Sequence, residues 1–119
     1  MNNELRIALV SGPAYDSLYE SLPRFTETTG IKVNVEFSGD HPLLNHHLAT
    51  LPRVTYDLVS THSKYAPSQL AFLAPLDGVV DHAILNDFVP LLLTLATVDG
   101  KLYGLPRNID VRLLHYPPT

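Results

Sequence analysis

The first patterned stretch of the chain is the apolar run of residues 5–10 (LRIALV), which ends at Ser11, Gly12 and Pro13. A run of this kind, bounded by turn residues, is typical of a strand that a parallel sheet buries on both faces. Between residues 15 and 28 the apolar side chains recur every three or four positions, and the other side of the segment is charged. This spacing predicts an amphipathic helix.

The two ends of this predicted helix have recognisable signals. Asp16 or Ser17 could cap its start, because short polar side chains accept hydrogen bonds from the first amides of a helix. Pro23 lies inside the segment and has no amide hydrogen, so we expect it to kink or divide the helix. Gly30 follows the last turn, where many helices end in a left-handed residue.

A second and a third strand are predicted next. Residues 31–37 alternate apolar and polar side chains, which indicates a half-exposed strand at or near a sheet edge. Residues 42–51 are expected to be helical, with Pro42 in the first turn, and residues 56–60 read as a short strand. The order βαβαβ predicts an α/β fold, with a parallel sheet, right-handed crossovers and helices on the sheet faces.

The second half of the sequence has shorter patterns. Residues 63–73 predict a short helix near their start, and residues 87–96 predict another helix that Asp87 could cap. Asp99 and Gly100 between β-favouring residues predict a hairpin, because both tolerate a positive φ. After a polar elbow, residues 111–116 resume an apolar, strand-like run.

Composition narrows the class of protein. The 119 residues suffice for one domain or lobe with its own core, and the net charge of −4 with only eight Lys and Arg argues against a nucleic-acid partner. The lack of cysteine excludes disulfides and thiolate catalysis. No stretch approaches the roughly 18 apolar residues of a membrane-spanning helix, and the N-terminus has no signal-peptide pattern, so an exported protein would have lost its signal.

Polar side chains collect where each predicted strand ends, over residues 11–15, 38–41 and 60–65. In open α/β sheets, ligands bind at the carboxyl ends of the strands. Hydroxyl groups, amides near helix starts, and the rings of Tyr15 and Tyr65 would suit a small polar ligand there. The alternative is that these residues are ordinary turn and cap residues.

Several local motifs occur in an order that is found in one family of proteins. They are Phe25-x-x-Thr28-x-Gly30-Ile31-Lys32-Val33, Tyr56-Asp57-Leu58-Val59, Leu73-x-Pro75-Leu76-Asp77, Asp87-Phe88-x-Pro90 and Asp99-Gly100-Lys101-x-Tyr103-Gly104-x-Pro106. Over residues 5–116 the chain resembles the extracellular solute-binding proteins of ABC importers, in the carbohydrate-associated group with the type 2 periplasmic-binding-protein fold. The resemblance implies a three-layer α/β/α lobe with a mainly parallel sheet.

The resemblance also implies a function. Such proteins hold a solute between two lobes that close by a hinge motion. Residues 1–110 would form the N-terminal ligand-binding lobe, and residues 111–119 would begin the crossover to a C-terminal lobe that this chain does not include. The implied activity is capture of a small polar solute, with a sugar as the first expectation, for the membrane subunits of an ABC importer. The implied location is periplasmic or extracellular, and no cofactor is implied.

The ligand-binding residues that the resemblance implies lie in two places. The loops after the strands would contribute Tyr15, Asp40, His62 and Lys64, and the crossover would contribute Asn108 and Asp110. A carboxylate such as that of Asp110 can accept hydrogen bonds from two sugar hydroxyls. Polar residues in such an elbow can also serve as satisfied turn groups, which is the alternative for Asp110.

The sequence favours neither a metal site nor an enzyme. His46 and His47 are adjacent, so on a helix their side chains diverge by about 100°, and a solvated helix face is the expected role for them. No HExxH pair, P-loop, dinucleotide-binding motif or nucleophile elbow occurs in the sequence. We therefore expect no metal and no catalytic residues.

Other classes of protein stay open at this point. A ligand-sensing regulatory or signalling domain could have the same lobe architecture, and an enzyme could acquire its catalytic groups from a second lobe. The apolar run of residues 111–116, without its usual continuation, could pair with a second copy of the chain.

Overall fold

The structure is a computed structural model that describes residues 3–108 and 117–118. These residues belong to two compact units, whose boundary lies between Phe72 and Leu73. The predicted strand over residues 111–116, its pairing with a second copy, and the predicted lobe boundary after residue 110 lie outside the described residues and remain predictions.

The first unit is an α/β arrangement built around a parallel sheet. Its elements are β1 (Glu4–Val10), a 3-10 turn (Pro13–Tyr15), α1 (Asp16–Thr29), β2 (Lys32–Gly39), α2 (His41–Thr50), β3 (Leu58–Val59) and a second 3-10 turn (Ala66–Gln69). The strand order is β2-β1-β3, and both pairings are parallel. The βαβαβ order and the fold class predicted from the sequence are confirmed.

The central strand β1 provides much of the core. Its residues from Ile7 to Val10 are buried, and Ala8 and Val10 pack against Leu44 and Leu48 of α2. Among the described residues, strand β2 pairs only with β1, and its residues alternate between exposed and half-buried as far as Ser38. The alternation in the sequence therefore predicted an edge strand correctly.

Helix α1 differs from the prediction at its start. It runs from Asp16 to Thr29 with Pro23 inside, so it is not divided at Pro23, and the kink expected there remains a prediction. The N-cap residue is Tyr15, and no side chain caps the helix. The preceding 3-10 turn already gives the amide of Asp16 a partner, the carbonyl of Pro13, so the predicted cap by Asp16 or Ser17 is wrong.

The other end of α1 is as predicted. Gly30 has a φ of 73°, in the left-handed region, and its amide donates to the carbonyl of Thr26 at 2.8 Å. Glycine reaches this conformation without the steric cost that a Cβ would add, which is why it ends helices so often.

Strand β3 is shorter than predicted, because side-chain bonding replaces part of the strand ladder. The backbone amide of Arg6 donates to the carboxylate of Asp57 at 2.8 Å rather than to a backbone carbonyl. Regular pairing with β1 is confined to Leu58 and Val59, although the amides of Asp57 and Ser60 still donate to the carbonyls of Arg6 and Ala8. The chain then leaves the sheet as a loop.

The second unit contains two short helices and a hairpin. Its elements are α3 (His82–Leu85), α4 (Pro90–Leu95), β4 (Thr97–Val98) and β5 (Lys101–Leu102). Asp99 and Gly100 join the strands with φ values of 50° and 77°, as in a type I′ turn, so the predicted hairpin is confirmed.

Polar contacts of the second unit differ in part from those predicted. The N-cap of α4 is Val89, without a side-chain bond, so the predicted cap by Asp87 is wrong. Asp81 caps α3 instead, accepting from the amide of Ala83 at 3.1 Å. The carboxylate of Asp77 accepts from the amide of Leu102 at 2.9 Å, which ties the Leu-x-Pro-Leu-Asp segment to β5.

In the part of the chain that the structure describes, no helix is long and apolar enough to cross a membrane.

Candidate functional site

The loops that follow β1, β2 and β3 bring four rings into a continuous series, which we call the ring cluster: Tyr15, His41, His62 and Tyr65. The hydroxyl of Tyr15 is 3.1 Å from Nε2 of His41. The rings of His41 and His62 meet edge to face at 5.3 Å between centroids, and those of His62 and Tyr65 at 6.2 Å. The ring cluster lies in the first unit.

The fold explains why these four residues meet. Tyr15 ends the turn after β1, His41 is the first residue of the helix after β2, and His62 and Tyr65 lie in the loop after β3. The three strands are parallel, so the segments after them share one edge of the sheet. All four residues are half-buried, so part of each remains accessible to solvent.

The loop after β3 holds its histidine in a defined state. Nδ1 of His62 accepts a hydrogen bond from the backbone amide of Lys64 at 3.2 Å. An imidazole nitrogen that accepts cannot carry the proton, so the neutral ring carries it on Nε2. Nε2–H is then a donor for an oxygen of a ligand.

Lys64 adds a positive charge beside the same loop. Its Nζ lies 4.9 Å from the centroid of the Tyr65 ring, within the range of a cation–π interaction. Tyr15, His62 and Lys64, which the sequence predicted as ligand-binding residues, are therefore linked within one group of contacts through His41 and Tyr65. Their role in binding remains a prediction.

Asp40 is at the same edge of the sheet, but the structure gives it a contact of another kind. Its Oδ1 accepts from the amide of Leu43 at 2.8 Å, and it is the N-cap of α2. An N-cap carboxylate satisfies an amide that has no partner within the helix and interacts favourably with the helix dipole. A ligand-binding role for Asp40 is a prediction that has to be compatible with this bond.

The edge of the sheet beneath the ring cluster is fixed by a tyrosine and a glycine. The hydroxyl of Tyr19 donates to the carbonyl of Val10 at 3.1 Å and lies 2.7 Å from Oγ of Ser38, so α1 is tied to the ends of β1 and β2. At the buried Gly39, a Cβ would lie 2.9 Å from Cδ2 of Leu43. A Cβ at position 39 would therefore displace the Leu43 side chain.

The two residues predicted in the crossover have a different status. Asn108 is exposed and belongs to the second unit. Asp110 lies outside the described residues. Their predicted role in ligand binding is therefore still a prediction.

The remaining histidines of α2 are not equivalent. His47 stacks on Phe37 with parallel rings 4.0 Å apart, and its Nε2 is 2.8 Å from the hydroxyl of Tyr56. The expected solvated role therefore holds for the exposed His46 but not for His47, which packs between the helix and the sheet. Among residues 3–108 and 117–118, no three His, Asp or Glu side chains are arranged to hold a metal ion.

An ion pair lies on the sheet, outside the ring cluster. Arg6 donates from two nitrogens to the two carboxylate oxygens of Glu36, each at 2.8 Å. The hydrogen bond from Arg6 and its charge lower the pKa of Glu36, and the same bond raises the pKa of Arg6. Both side chains are solvent-accessible, and the pair joins neighbouring strands β1 and β2.

Sequence reasoning placed His41 in the polar segment after the second predicted strand but did not select it as a ligand-binding residue. A signal for it does exist. His41 directly follows the end of the second predicted strand, at the same edge as Tyr15 and His62. Tyr65 was recognised as a ring that could stack on a ligand, and the structure places it beside His62.

Comparison with known proteins identifies a similar fold. No protein-family model and no curated protein sequence matches this chain. Among solved structures, the maltotriose-binding protein of Thermus thermophilus, bound with maltotriose, is 24% identical and superposes with a TM-score of 0.69. The superposition covers 86% of this chain, which spans about 28% of the length of that protein. The chain therefore has the fold of part of a solute-binding protein, and the α/β fold class expected from the sequence is confirmed.

Proposed function

We propose that the chain is the ligand-binding lobe of a solute-binding protein that captures a small polar solute for an ABC importer. A carbohydrate is the first candidate for this solute. The observation that carries the proposal is the ring cluster at the carboxyl edge of the β2-β1-β3 sheet. The fold shared with a maltotriose-binding protein supports it. A periplasmic or extracellular location belongs to the same proposal.

The chemistry of the ring cluster suits a polyhydroxylated ligand. The apolar faces of sugar rings stack on aromatic rings, which Tyr15 and Tyr65 supply. Imidazole and phenol groups can both donate and accept hydrogen bonds, which suits sugar hydroxyls, because each hydroxyl is itself a donor and an acceptor. The Nε2–H of His62 is a donor of this kind.

The proposed mechanism is binding and closure rather than catalysis. Residues 1–110 form one wall of the cleft in this proposal, with Asn108 and Asp110 near the crossover that begins at residue 111. A second lobe would close over the solute, add contacts and exclude water. Binding by this chain alone should therefore be weaker than binding by a two-lobed protein that includes it.

A titration with maltotriose tests the proposal. We expect the NMR signals of the His41 and His62 rings to shift in a saturable way, while those of His46, which is exposed outside the ring cluster, stay unchanged. Acidic sugars and amino acids serve as the comparison panel. If no member of the panel shifts the ring signals, or if His46 responds equally, the proposed site is wrong.

A further inference from the structure

A buried side-chain amide lies directly behind the loop that carries His62. Gln69 is 3% exposed, and within residues 3–108 and 117–118 it is the only polar or charged residue that is buried. Buried polar groups are retained at a cost in desolvation, which their hydrogen bonds have to offset. The burial of Gln69 therefore has to be explained by its hydrogen-bond partners.

Both ends of the Gln69 amide have a partner. Oε1 accepts from the hydroxyl of Thr61 at 2.7 Å, and Nε2 donates to Oδ1 of Asn45 at 3.0 Å. Thr61 immediately precedes His62, and Asn45 lies one helical turn after His41 on α2. The Gln69 amide thus connects Thr61, the neighbour of His62, to the turn of α2 that follows His41.

The loop between these contacts is closed by its own backbone bonds. The carbonyl of His62 accepts from the amides of Tyr65 and Ala66 at 2.9 and 3.3 Å, so residues 62–66 form a tight turn. The bond from Thr61 to Gln69 closes the wider loop, and the bond from Gln69 to Asn45 attaches that loop to α2. The turn is therefore held as a unit over the start of α2.

We propose that Gln69 is a positioning residue of the solute site, whose side-chain amide sets the orientation of the His62 ring against His41. The proposal rests on the proposed function for its biological meaning. A planar amide with its donor and acceptor on opposite sides fixes both the distance and the rotation of the groups it joins. An apolar side chain of the same size would fill the volume without fixing either one. It would also remove the partner of Oδ1 of Asn45 and leave the Thr61 hydroxyl with its longer contact to the His62 carbonyl, at 3.4 Å.

The test uses three variants in the absence of any solute. Thr61→Val keeps the shape of the side chain and removes the hydroxyl, and Gln69→Met removes both polar ends of the amide. Thr61→Ser retains the hydroxyl and is the conservative variant. We expect Thr61→Val and Gln69→Met to lose the NMR contact between the His41 and His62 rings, and Thr61→Ser to keep it.

A control separates orientation from stability. Val54 packs against the same core and makes none of these hydrogen bonds, so Val54→Ala should lower the melting temperature while keeping the ring contact. The proposal is overturned if Thr61→Val keeps the wild-type ring contact, or if Val54→Ala loses it to the same extent. If Gln69→Met does not fold, the ring contact in Thr61→Val is the measurement that tests the proposal. Because no solute is used, failure here leaves solute binding untouched, and a failed maltotriose titration leaves this result standing.

Discussion

Nδ1 of His62 accepts a hydrogen bond from the backbone amide of Lys64 at 3.2 Å. The same side chain therefore closes a loop with Nδ1 and has a donor at its other nitrogen, Nε2. The two nitrogens of the ring thus have separate tasks. The acceptor shapes the loop after β3, and Nε2–H is directed away from that bond. Substitutions that copy one nitrogen at a time can separate the two tasks.

His62→Asn and His62→Gln form a matched pair. An asparagine carries its polar group near the position of Nδ1, and a glutamine carries it near Nε2. We expect His62→Asn to retain slow hydrogen exchange at the Lys64 amide and to lose affinity for maltotriose. His62→Gln should show the opposite pattern, with faster exchange and better retained affinity. Exchange and calorimetry on the two variants measure these effects, and identical behaviour of the pair would refute the division of tasks.

Gly39→Ala tests the packing beneath the ring cluster. The new Cβ would lie 2.9 Å from Cδ2 of Leu43 and 3.3 Å from Cε1 of Phe37. We expect a loss of about 1 kcal/mol in the free energy of unfolding, at the low end for overpacking, because the half-exposed Leu43 side chain can turn away.

Two further variants control this measurement by chemical denaturation. At Gly104 a Cβ would meet nothing within 4 Å, so Gly104→Ala should leave stability nearly unchanged. Adding Leu43→Ala to Gly39→Ala should recover part of the loss, since it removes the clashing atom. A full loss in the double variant would mean that the contact with Phe37, not the one with Leu43, causes the destabilisation.

Those features of the fold that depend on local signals could be predicted from the sequence. The alternation over β2, the αL glycine at residue 30 and the Asp99-Gly100 turn each depend on neighbouring residues alone. Strand β3 is shorter than predicted because the carboxylate of Asp57 accepts a hydrogen bond from the Arg6 amide. This bond joins residues that are far apart in sequence. No local pattern reports such a contact.

The sequence predicted which segments form the candidate site, but not how their side chains contact one another. The rule that ligands bind at the carboxyl ends of parallel strands located Tyr15 and His62 at one edge. It could not show that His41 lies between them, because this depends on how α2 packs on the sheet through Leu44 and Leu48. The buried Gln69 was missed because its partners, Thr61 and Asn45, lie on separate elements.

The ion pair between Arg6 and Glu36 predicts a pH dependence of stability. The hydrogen bond from Arg6 lowers the pKa of Glu36 in the folded chain, so folding favours the ionised carboxylate. The contribution is present above the ordinary carboxyl pKa and is lost as the pH falls through the lowered value. Thermal unfolding of the wild type and of Glu36→Gln should therefore differ at neutral pH and converge in acid.

The size and salt dependence of this effect are also predictable. Both side chains are exposed to solvent, so the difference should be small and should shrink further at high ionic strength. Glu20→Gln, on the exposed side of α1, is the control and should show no such convergence. A difference between wild type and Glu36→Gln that grows as the pH falls would contradict the expected direction of the pH dependence.

Asp40 has two roles to separate, the N-cap seen in the structure and the ligand contact predicted from the sequence. Asp40→Asn keeps a side-chain oxygen for the Leu43 amide, whereas Asp40→Ala removes it. We expect Asp40→Ala to cost about 1 kcal/mol of folding free energy, as is typical for a lost N-cap, and Asp40→Asn to cost much less. If Asp40 also binds solute through its charge, Asp40→Asn should lower the affinity for maltotriose at nearly unchanged stability. Denaturation and calorimetry on both variants measure this, and unchanged affinity in Asp40→Asn would leave the carboxylate with the capping role alone.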